Sequence, residues 1–448
     1  MKALGTRAFT ALFFALVALV LLFSDKGQIA GDGVVRWRAL VALATEGRLT
    51  ADRYSIEMPL LALPLWTAGD AVARAAGVTG PARLETIGRV VQRFNKLVAF
   101  AIAVWLFRRL RRLGLGAEGA AAGVLVLLFA SLLVPHAKDF YGECLWTFFA
   151  CAAVGLLAEG SARSARGDVA LAAATALAVP LNPLLAPVLG VTAAVLAATA
   201  DAPERPAAWR GAALAAFGAA AGLGLALAEN ALRRGSALDF GYAGEGFTTP
   251  FFAGVAGQLV SPARGAVFYL PAFFLGFVLA ARGPAGAVRR FAVTGCVFGT
   301  LLVAAYAKWH AWHGMTYWGP RFLLPLSVLG AAFVTLSVAA ARRAGRAAQA
   351  AIGLVVLLSY AAYKAGVGIG VGPLRACLLE DATRASCYWD PARLPLASWF
   401  SRDGLGAMID HRSTVVEPVA LALFAALAAV TARAKRPPAT SRRVPEYR

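Results

Sequence analysis

Apolar runs long enough to cross a lipid bilayer recur along this chain, bounded by arginine, glycine or proline. Of its 448 residues, 59% are hydrophobic and 15% are charged, whereas a soluble domain is about half apolar and about a quarter charged. Lipid offers no hydrogen bonds to the backbone, so runs of this kind fold as helices. The pattern therefore predicts an all-α fold, a polytopic transmembrane helix bundle.

A helix needs ~20 residues to cross the hydrocarbon core, and the apolar runs predict about 12 spans, with a range of roughly 11 to 13. One further run, residues 59–78, is excluded because its prolines and charged residues favour a helix that lies at the membrane interface. The predicted spans lie near residues 8–23, 88–107, 118–135, 141–158, 168–180, 183–199, 211–229, 264–281, 291–307, 321–340, 347–367 and 414–432.

Basic residues indicate which loops face the cytoplasm, because Lys and Arg are enriched there. With the amino terminus inside, the clusters at 108–112, 163–166, 205–210, 289–290 and 342–343 all lie on one side. This predicts a multi-pass protein of the cytoplasmic (inner) membrane with both termini in the cytoplasm. The net charge of +20 is then explained by topology and by membrane lipids as partners, and no nucleic-acid partner is predicted.

The runs predict a single transmembrane domain, residues 1–432, followed by a disordered basic cytoplasmic tail, residues 433–448. Three outer loops are longer than a tight turn, and a fourth is short and aromatic. Long irregular segments in compact proteins usually carry function, so the candidate functional residues are sought in these loops. The loops are residues 24–87, which include the interfacial helices, 230–263, 308–320 and 368–413.

Asp32 stands between two glycines at the start of an amphipathic stretch that runs to about Glu46. An aspartate in that place can simply cap the helix, because its carboxylate accepts backbone N–H groups and favours the helix dipole. A partly desolvated carboxylate at the membrane surface is also a suitable general base for a hydroxyl group. The two interpretations are compatible, and the residues alone leave both open.

The segment from Lys308 to Arg321 combines cations with four aromatic residues, in KWHAWHGMTYWGPR. One interpretation is an aromatic belt at the interface with snorkelling cations. The other is a site for a lipid phosphate, at which Lys308, His310 and Arg321 converge. No metal site is predicted, because His310 and His313 are two ligands three apart and zinc needs at least one more.

Two further charged features stand at the outer ends of predicted spans. Arg264, in SPARG, can be a turn followed by an anchoring arginine, and this interpretation is preferred on these residues alone. Asp139 and Glu143 are four positions apart, which predicts that they share a helix face. There they either pair with nearby cations or supply a second acid to a site, with Glu143 as the candidate.

Two of the five cysteines, Cys377 and Cys387, share the last outer loop. In an oxidising compartment such a pair is expected to form a disulfide. The other three, Cys144, Cys151 and Cys296, lie in predicted spans.

Several segments together resemble one family, and they occur in consistent order from residue 31 to about residue 326. They are GDG at Asp32 followed by a helix and EGRL; MPLLALPLW; DFYGE, which ends in Glu143; and SPARGAVFYLP with YWGPRFLLPL, preceded by Asn230 and GSALDFGY. With these motifs the chain resembles bacterial multi-pass proteins of the glycosyltransferase C superfamily, in the protein mannosyltransferase and aminoarabinose transferase-like group.

The resemblance implies an outward-facing site beneath the first outer loop and a polyprenyl-phosphate-linked sugar as the donor substrate. Asp32 then corresponds to the acidic residue that deprotonates the acceptor hydroxyl as it attacks the anomeric carbon. The cations that would stabilise charge on the leaving phosphate are Arg321, Arg264, Lys308 and His310.

The chain departs from the family pattern at two points. Many relatives have an acidic residue directly after the GD pair, where this chain has Gly33, and the position near Ile56 and Glu57 often differs. These departures leave open that Asp25 is the base, or that Asp32 binds a metal. No cofactor is predicted beyond the donor, and a divalent metal requirement is left open.

Three classes of function remain after these arguments. The favoured one is a glycosyltransferase acting at the outer face of the cytoplasmic membrane on a glycolipid, glycan or protein hydroxyl. A transporter or flippase of lipid-linked glycans should show ionisable residues within its spans, or broken helices at the midplane in two related halves. A noncatalytic membrane scaffold would need neither Asp32 nor the outer cations.

Overall fold

The computed structural model describes residues 6–23, 29–283, 285–315, 317–341, 345–368, 385–391, 397 and 413–434. Within these ranges the regular structure is helical, and no β-strand forms. The predicted all-α fold is confirmed. The single-domain boundary at residue 432 stays a prediction, and Asp25 and nearly all of the predicted tail lie outside the described residues.

Nineteen helices of more than three residues occur in the described chain. They are α1 (Thr6–Phe23), α2 (Asp32–Glu46), α3 (Glu57–Ala75), α4 (Gly80–Val91), α5 (Phe94–Arg112), α6 (Ala117–Phe129), α7 (Leu133–Ala137), α8 (Glu143–Leu157), α9 (Ala165–Leu181), α10 (Leu185–Thr199), α11 (Arg205–Arg234), α12 (Phe251–Val260), α13 (Ala266–Tyr269), α14 (Pro271–Arg282), α15 (Ala287–Ala307), α16 (Leu324–Ala341), α17 (Arg346–Gly368), α18 (Ala385–Trp389) and α19 (Ser413–Ala434). Short 3₁₀ turns form at Gly160–Ala162 and Arg321–Leu323.

Every predicted span coincides with one helix or with a broken pair. Among the described residues, six helical segments are long and apolar enough to cross a membrane, and six shorter apolar helices accompany them. A multi-pass membrane protein is therefore confirmed, whereas the number of about 12 spans stays a prediction. The six long segments are Thr6–Phe23, Gly80–Arg112, Arg205–Arg234, Ala287–Ala307, Arg321–Ala341 and Arg346–Gly368.

The predicted continuous span at 118–135 is broken in the structure. Helix α6 ends at Phe129, and the chain makes an irregular turn before α7, which contains Pro135. Proline lacks an N–H group and cannot continue the hydrogen-bond ladder. At the break, Ser131 and Ser327 replace backbone acceptors: the Oγ of Ser131 accepts from the N–H of Leu133 (3.0 Å), and that of Ser327 from the N–H of Leu132 (2.7 Å).

The predicted interfacial segment 59–78 is helix α3, and it is not among the segments long and apolar enough to span. It packs closely on α4: a Cβ added at Gly69 would lie 2.9 Å from the Cα of Ile87. Helix α2 packs on α3 as well, because the ring centroids of Trp37 and Trp66 lie 5.5 Å apart.

Helix α12 lies inside the predicted outer loop 230–263, where no helix was expected. Its ten residues are too few to cross the hydrocarbon core. It packs on the end of α15 because Gly254 and Gly257 have no side chains to collide with Ala307 and Trp312. On its other side Phe252 is 83% exposed, so this short helix presents an apolar face outward.

Candidate functional site

The start of α2 places Asp32. The interpretation of Asp32 as the helix cap is wrong, because Gly31, with φ 50°, occupies the N-cap position. No side chain caps this end of the helix. Asp32 is the first residue of the helix, so its carboxylate is free to point elsewhere. Its Oδ2 accepts a hydrogen bond from Nη1 of Arg321 at 2.8 Å, across 289 positions of sequence.

The two glycines around Asp32 bring the helix start against residues 140 and 141. A side chain at Gly31 would collide with the Tyr141 hydroxyl, and a Cβ at Gly33 would lie 3.1 Å from the carbonyl oxygen of Phe140. Gly33 therefore has a packing role here.

Gly31→Ala is expected to lower the thermal stability of the protein, because it combines a positive φ with a collision. The reference is Gly47→Ala, at which the backbone is left-handed helical (φ 63°, ψ 17°) and nothing lies within 4 Å of an added Cβ. The backbone at Gly31 (φ 50°, ψ −127°) is itself largely restricted to glycine and adds to the expected loss. Gly47→Ala should cost about 1 kcal/mol for backbone conformation alone, and Gly31→Ala clearly more. Thermal unfolding of both variants in detergent measures the difference, and equal losses would contradict the proposed packing.

Arg321 lies between two carboxylates. Besides the ion pair with Asp32, its Nε lies 3.6 Å from Oε1 of Glu143, and the arginine side chain is only 12% exposed. The backbone before Arg321 turns at Gly319, which has φ 61°, and the 3₁₀ turn begins at Arg321. The structure thus brings three of the predicted site residues together, Asp32, Glu143 and Arg321.

Asp139 and Glu143 do not share a helix face, so this prediction is wrong. Helix α8 begins at Glu143, and Asp139 precedes it in irregular chain held by Asn95, whose amide donates to the carbonyl oxygens of Asp139 (2.5 Å) and Tyr141 (2.7 Å). Asp139 accepts a hydrogen bond from the Tyr317 hydroxyl at 2.7 Å. Glu143, at the start of α8, lies beside Arg321.

Two residues of the site were missed from the sequence, Arg36 and Tyr54. The guanidinium of Arg36 lies 3.9 Å from the centroid of the Tyr54 ring, and the Tyr54 hydroxyl donates a hydrogen bond to Asp32. The signal for Arg36 was its spacing, because residues i and i+4 lie on one helix face. The irregular segment around Tyr54 carries no such signal.

The end of α11 holds the segment that carries Tyr54. Arg233 donates to the carbonyl oxygens of Thr50 and Tyr54, each at 2.7 Å. Glu229 accepts from the N–H of Ile56 at 2.8 Å and from the Ser55 hydroxyl at 3.1 Å. The position of Tyr54 therefore depends on residues more than 170 positions away.

The charges around Asp32 keep its carboxyl ionised. Burial by itself would raise its pKa, but the positive charges of Arg321 and Arg36, with hydrogen bonds from Tyr54 and Arg321, lower the pKa below its ordinary value. A carboxylate in this environment is a proton acceptor throughout the neutral pH range.

Arg264 is buried without a counter-ion among the described residues. It is 1% exposed, so it is not the surface anchor that its sequence context favoured. Its Nη2 donates to the carbonyl oxygen of Met315, and its Nε has no hydrogen-bond partner in the described chain. The positive charge of Arg321 lies near enough to act on this guanidinium as well. Buried charges are normally paired, so this guanidinium is ready for an anion.

The structure does not tie Lys308 and His310 to the Asp32–Arg321 pair. Lys308 is exposed, and its carbonyl oxygen accepts from the N–H of Thr249 at 3.1 Å. The His310 ring lies 3.7 Å from Glu245, which also pairs with Arg53 at 2.7 Å. Their role at a phosphate stays a prediction.

In the described chain, no group of three or more His, Cys, Asp or Glu side chains could hold a metal ion. Cys144, Cys151 and Cys296 are free thiols, whereas Cys387 is disulfide-bonded. Cys377 lies outside the described residues, so the predicted pairing stays a prediction.

This chain is similar to known proteins in its three-dimensional structure. No protein-family model and no curated protein matches the sequence. The crystal structure of ArnT from Cupriavidus metallidurans bound to undecaprenyl phosphate matches with a TM-score of 0.56 and 13% identity, over 92% of this chain and 77% of that one. Apo ArnT from the same organism matches with a TM-score of 0.53 and 16% identity, over 95% and 78%. The chain therefore has the fold of ArnT.

Proposed function

We propose that this protein is a membrane glycosyltransferase that moves a sugar from a polyprenyl-phosphate donor to a hydroxyl acceptor at the outer face of the cytoplasmic membrane. The observation that carries the proposal is the pairing of an ionised Asp32 with Arg321, near a buried Arg264 that lacks a counter-ion. The likeness to ArnT, which was crystallised with undecaprenyl phosphate, supports it.

Within this proposal, the phosphate binds first at Arg264, and the surrounding charges support that choice. Arg321 already faces two carboxylates, Asp32 and Glu143, whereas Arg264 faces none among the described residues. A phosphodiester bound at Arg264 would supply the missing negative charge, and Arg321 would contribute as a second cation. Guanidinium groups suit this task because they donate several hydrogen bonds in a fixed plane.

In the proposed reaction, Asp32 accepts the proton of the acceptor hydroxyl, and the acceptor oxygen forms a bond to the anomeric carbon of the sugar. The bond from that carbon to the phosphate oxygen breaks, and polyprenyl phosphate leaves with the electron pair. Arg264 and Arg321 stabilise the charge that grows on the phosphate, and Glu143 holds Arg321 in orientation.

The pH dependence should report the lowered pKa of Asp32. Because the carboxylate stays ionised at low pH, kcat/KM of the wild type should be flat between about pH 5 and about pH 8. Arg36→Gln removes one charge that lowers this pKa, so the pKa of Asp32 should rise. The acid limb of the pH profile of kcat/KM should therefore move to higher pH. Arg38→Gln, an exposed position on the same helix, is the control. An unchanged profile in Arg36→Gln would contradict the role of Asp32.

The proposal is tested by offering polyprenyl-phosphate sugars and nucleotide sugars to the purified protein in lipid nanodiscs. Release or transfer of sugar from a polyprenyl-phosphate donor only is the expected result, and turnover of a nucleotide sugar only would overturn it. Reporter fusions at residues 80 and 115 test the side of the membrane, because they should report opposite sides.

A transporter or flippase is a second candidate, because one observation meets its requirement for buried ionisable groups. Lys364 in α17 and Glu417 in α19 form an ion pair at 3.2 Å, and the hydroxyls of Tyr360 and Tyr363 donate to Glu417. Both charges are thereby satisfied and lie near the ends of their helices, which suits a link between helices. Movement of a labelled polyprenyl-phosphate sugar across vesicles, without its cleavage, would favour transport.

A further inference from the structure

The described part of the last outer loop packs on the segment that carries Arg264. The N–H of Ala263 donates to the carbonyl oxygen of Tyr388 in α18 at 3.2 Å. Ala263, Cys387 and Tyr388 form a small buried cluster of their own, with Trp312 packed against it. None of these residues has a role in the proposed reaction. A loop that only connected two helices would not be expected to bury side chains in this way.

Tyr388 lies at the centre of these contacts. Its ring is stacked on the His313 imidazole, with 4.0 Å between centroids and 20° between planes, and the guanidinium carbon of Arg264 lies 5.8 Å from its centroid. Tyr388 is 1% exposed. Burial, helped by the positive charge of Arg264, lowers the pKa of His313 to about 3, so the imidazole is neutral when stacked.

The stacked histidine connects Tyr388 to both arginines. Nδ1 of His313 accepts from the N–H of Met315 at 3.1 Å, and the carbonyl oxygen of Met315 accepts from Arg264. Met315 has φ 58°, which is unusual for a residue with a side chain and needs support from its surroundings. The neighbouring Gly314 packs on the stem of Arg321, because a Cβ there would lie 2.8 Å from its Cγ.

We propose that Tyr388 is a positioning residue for the donor phosphate, and that the disulfide at Cys387 holds it in place. By stacking on His313 it stabilises the strained turn at Met315, which in turn directs the guanidinium of Arg264. Helix α18, which carries Tyr388, is then part of the donor site. This inference rests on the proposed function for its ligand, a polyprenyl phosphate.

The test measures binding of undecaprenyl phosphate to the full-length protein in nanodiscs, together with KM and kcat for the donor that it uses. Tyr388→Leu keeps apolar volume but removes the ring, and should weaken binding and raise KM about tenfold with kcat nearly unchanged. Tyr388→Phe keeps the stacking and should bind like the wild type. Trp389→Ala, at a neighbouring position that is 42% exposed, is the control and should also bind normally.

Cys387→Ser tests the role of the disulfide in the same assay. It should weaken binding as Tyr388→Leu does, and the double variant should be no weaker than either single variant, because the two changes act on one element. Normal binding by a folded Tyr388→Leu, checked by thermal unfolding, would overturn the inference. If the wild type binds undecaprenyl phosphate but turns over no donor, the proposed function fails while the positioning role is still measured by binding.

Discussion

Asp32→Asn is expected to lower sugar transfer by about 10²- to 10⁴-fold, the range for loss of a general base. The substitution keeps the shape of the side chain but removes the ionised group that Arg321, Arg36 and Tyr54 maintain. Donor binding should not weaken, and should become tighter, because Arg321 loses one of the two carboxylates that compete with the phosphate. The loss should therefore appear in kcat.

The control for this prediction is Asp70→Asn. Asp70 lies in the same outer segment, in α3, and pairs with Arg74 and Arg83, whose side chains are exposed. It should keep full activity, because its ion-pair partners are not residues of the proposed site. Transfer rates and binding of undecaprenyl phosphate in nanodiscs measure both variants. Wild-type turnover by Asp32→Asn would exclude Asp32 as the base.

Arg264→Gln is expected to weaken binding of the donor roughly 10- to 100-fold, the loss of charge-assisted hydrogen bonds worth about 1.5–3 kcal/mol. The same change should raise the thermal stability of the empty protein, because it removes a buried charge that has no counter-ion in the described chain. A gain in stability joined to a loss of binding is typical of a functional residue.

Arg233→Gln is the matched control for Arg264→Gln. Arg233 is also buried, but it pairs with Glu229 and Asp52, so its removal leaves carboxylates unpaired and should destabilise the fold by about 3–5 kcal/mol. Thermal unfolding and phosphate-lipid binding distinguish the two arginines. A loss of stability in Arg264→Gln as large as in Arg233→Gln would show that Arg264 is structural.

The helical fold was predictable because its cause is local. A run of apolar residues in lipid folds as a helix because a helix satisfies its own backbone hydrogen bonds, and each of the twelve predicted runs coincides with one helix or with a broken pair. The breaks were harder to predict: the chain leaves α6 before Pro135 because Ser131 and Ser327 can satisfy the freed N–H groups, and Ser327 belongs to a distant helix. The helix α12 escaped prediction because its two glycines fit a surface that only the folded chain provides.

The sequence by itself determined the membrane-embedded helical fold, the family likeness and three residues that meet at the site, Asp32, Glu143 and Arg321. Motif order was enough for these, since each residue stands within a recognisable segment. Only the tertiary structure decided that Arg264 is buried without a counter-ion in the described chain and that Tyr54 reaches Asp32. Burial and ion pairing depend on side chains that are far apart in sequence, so no local pattern records them.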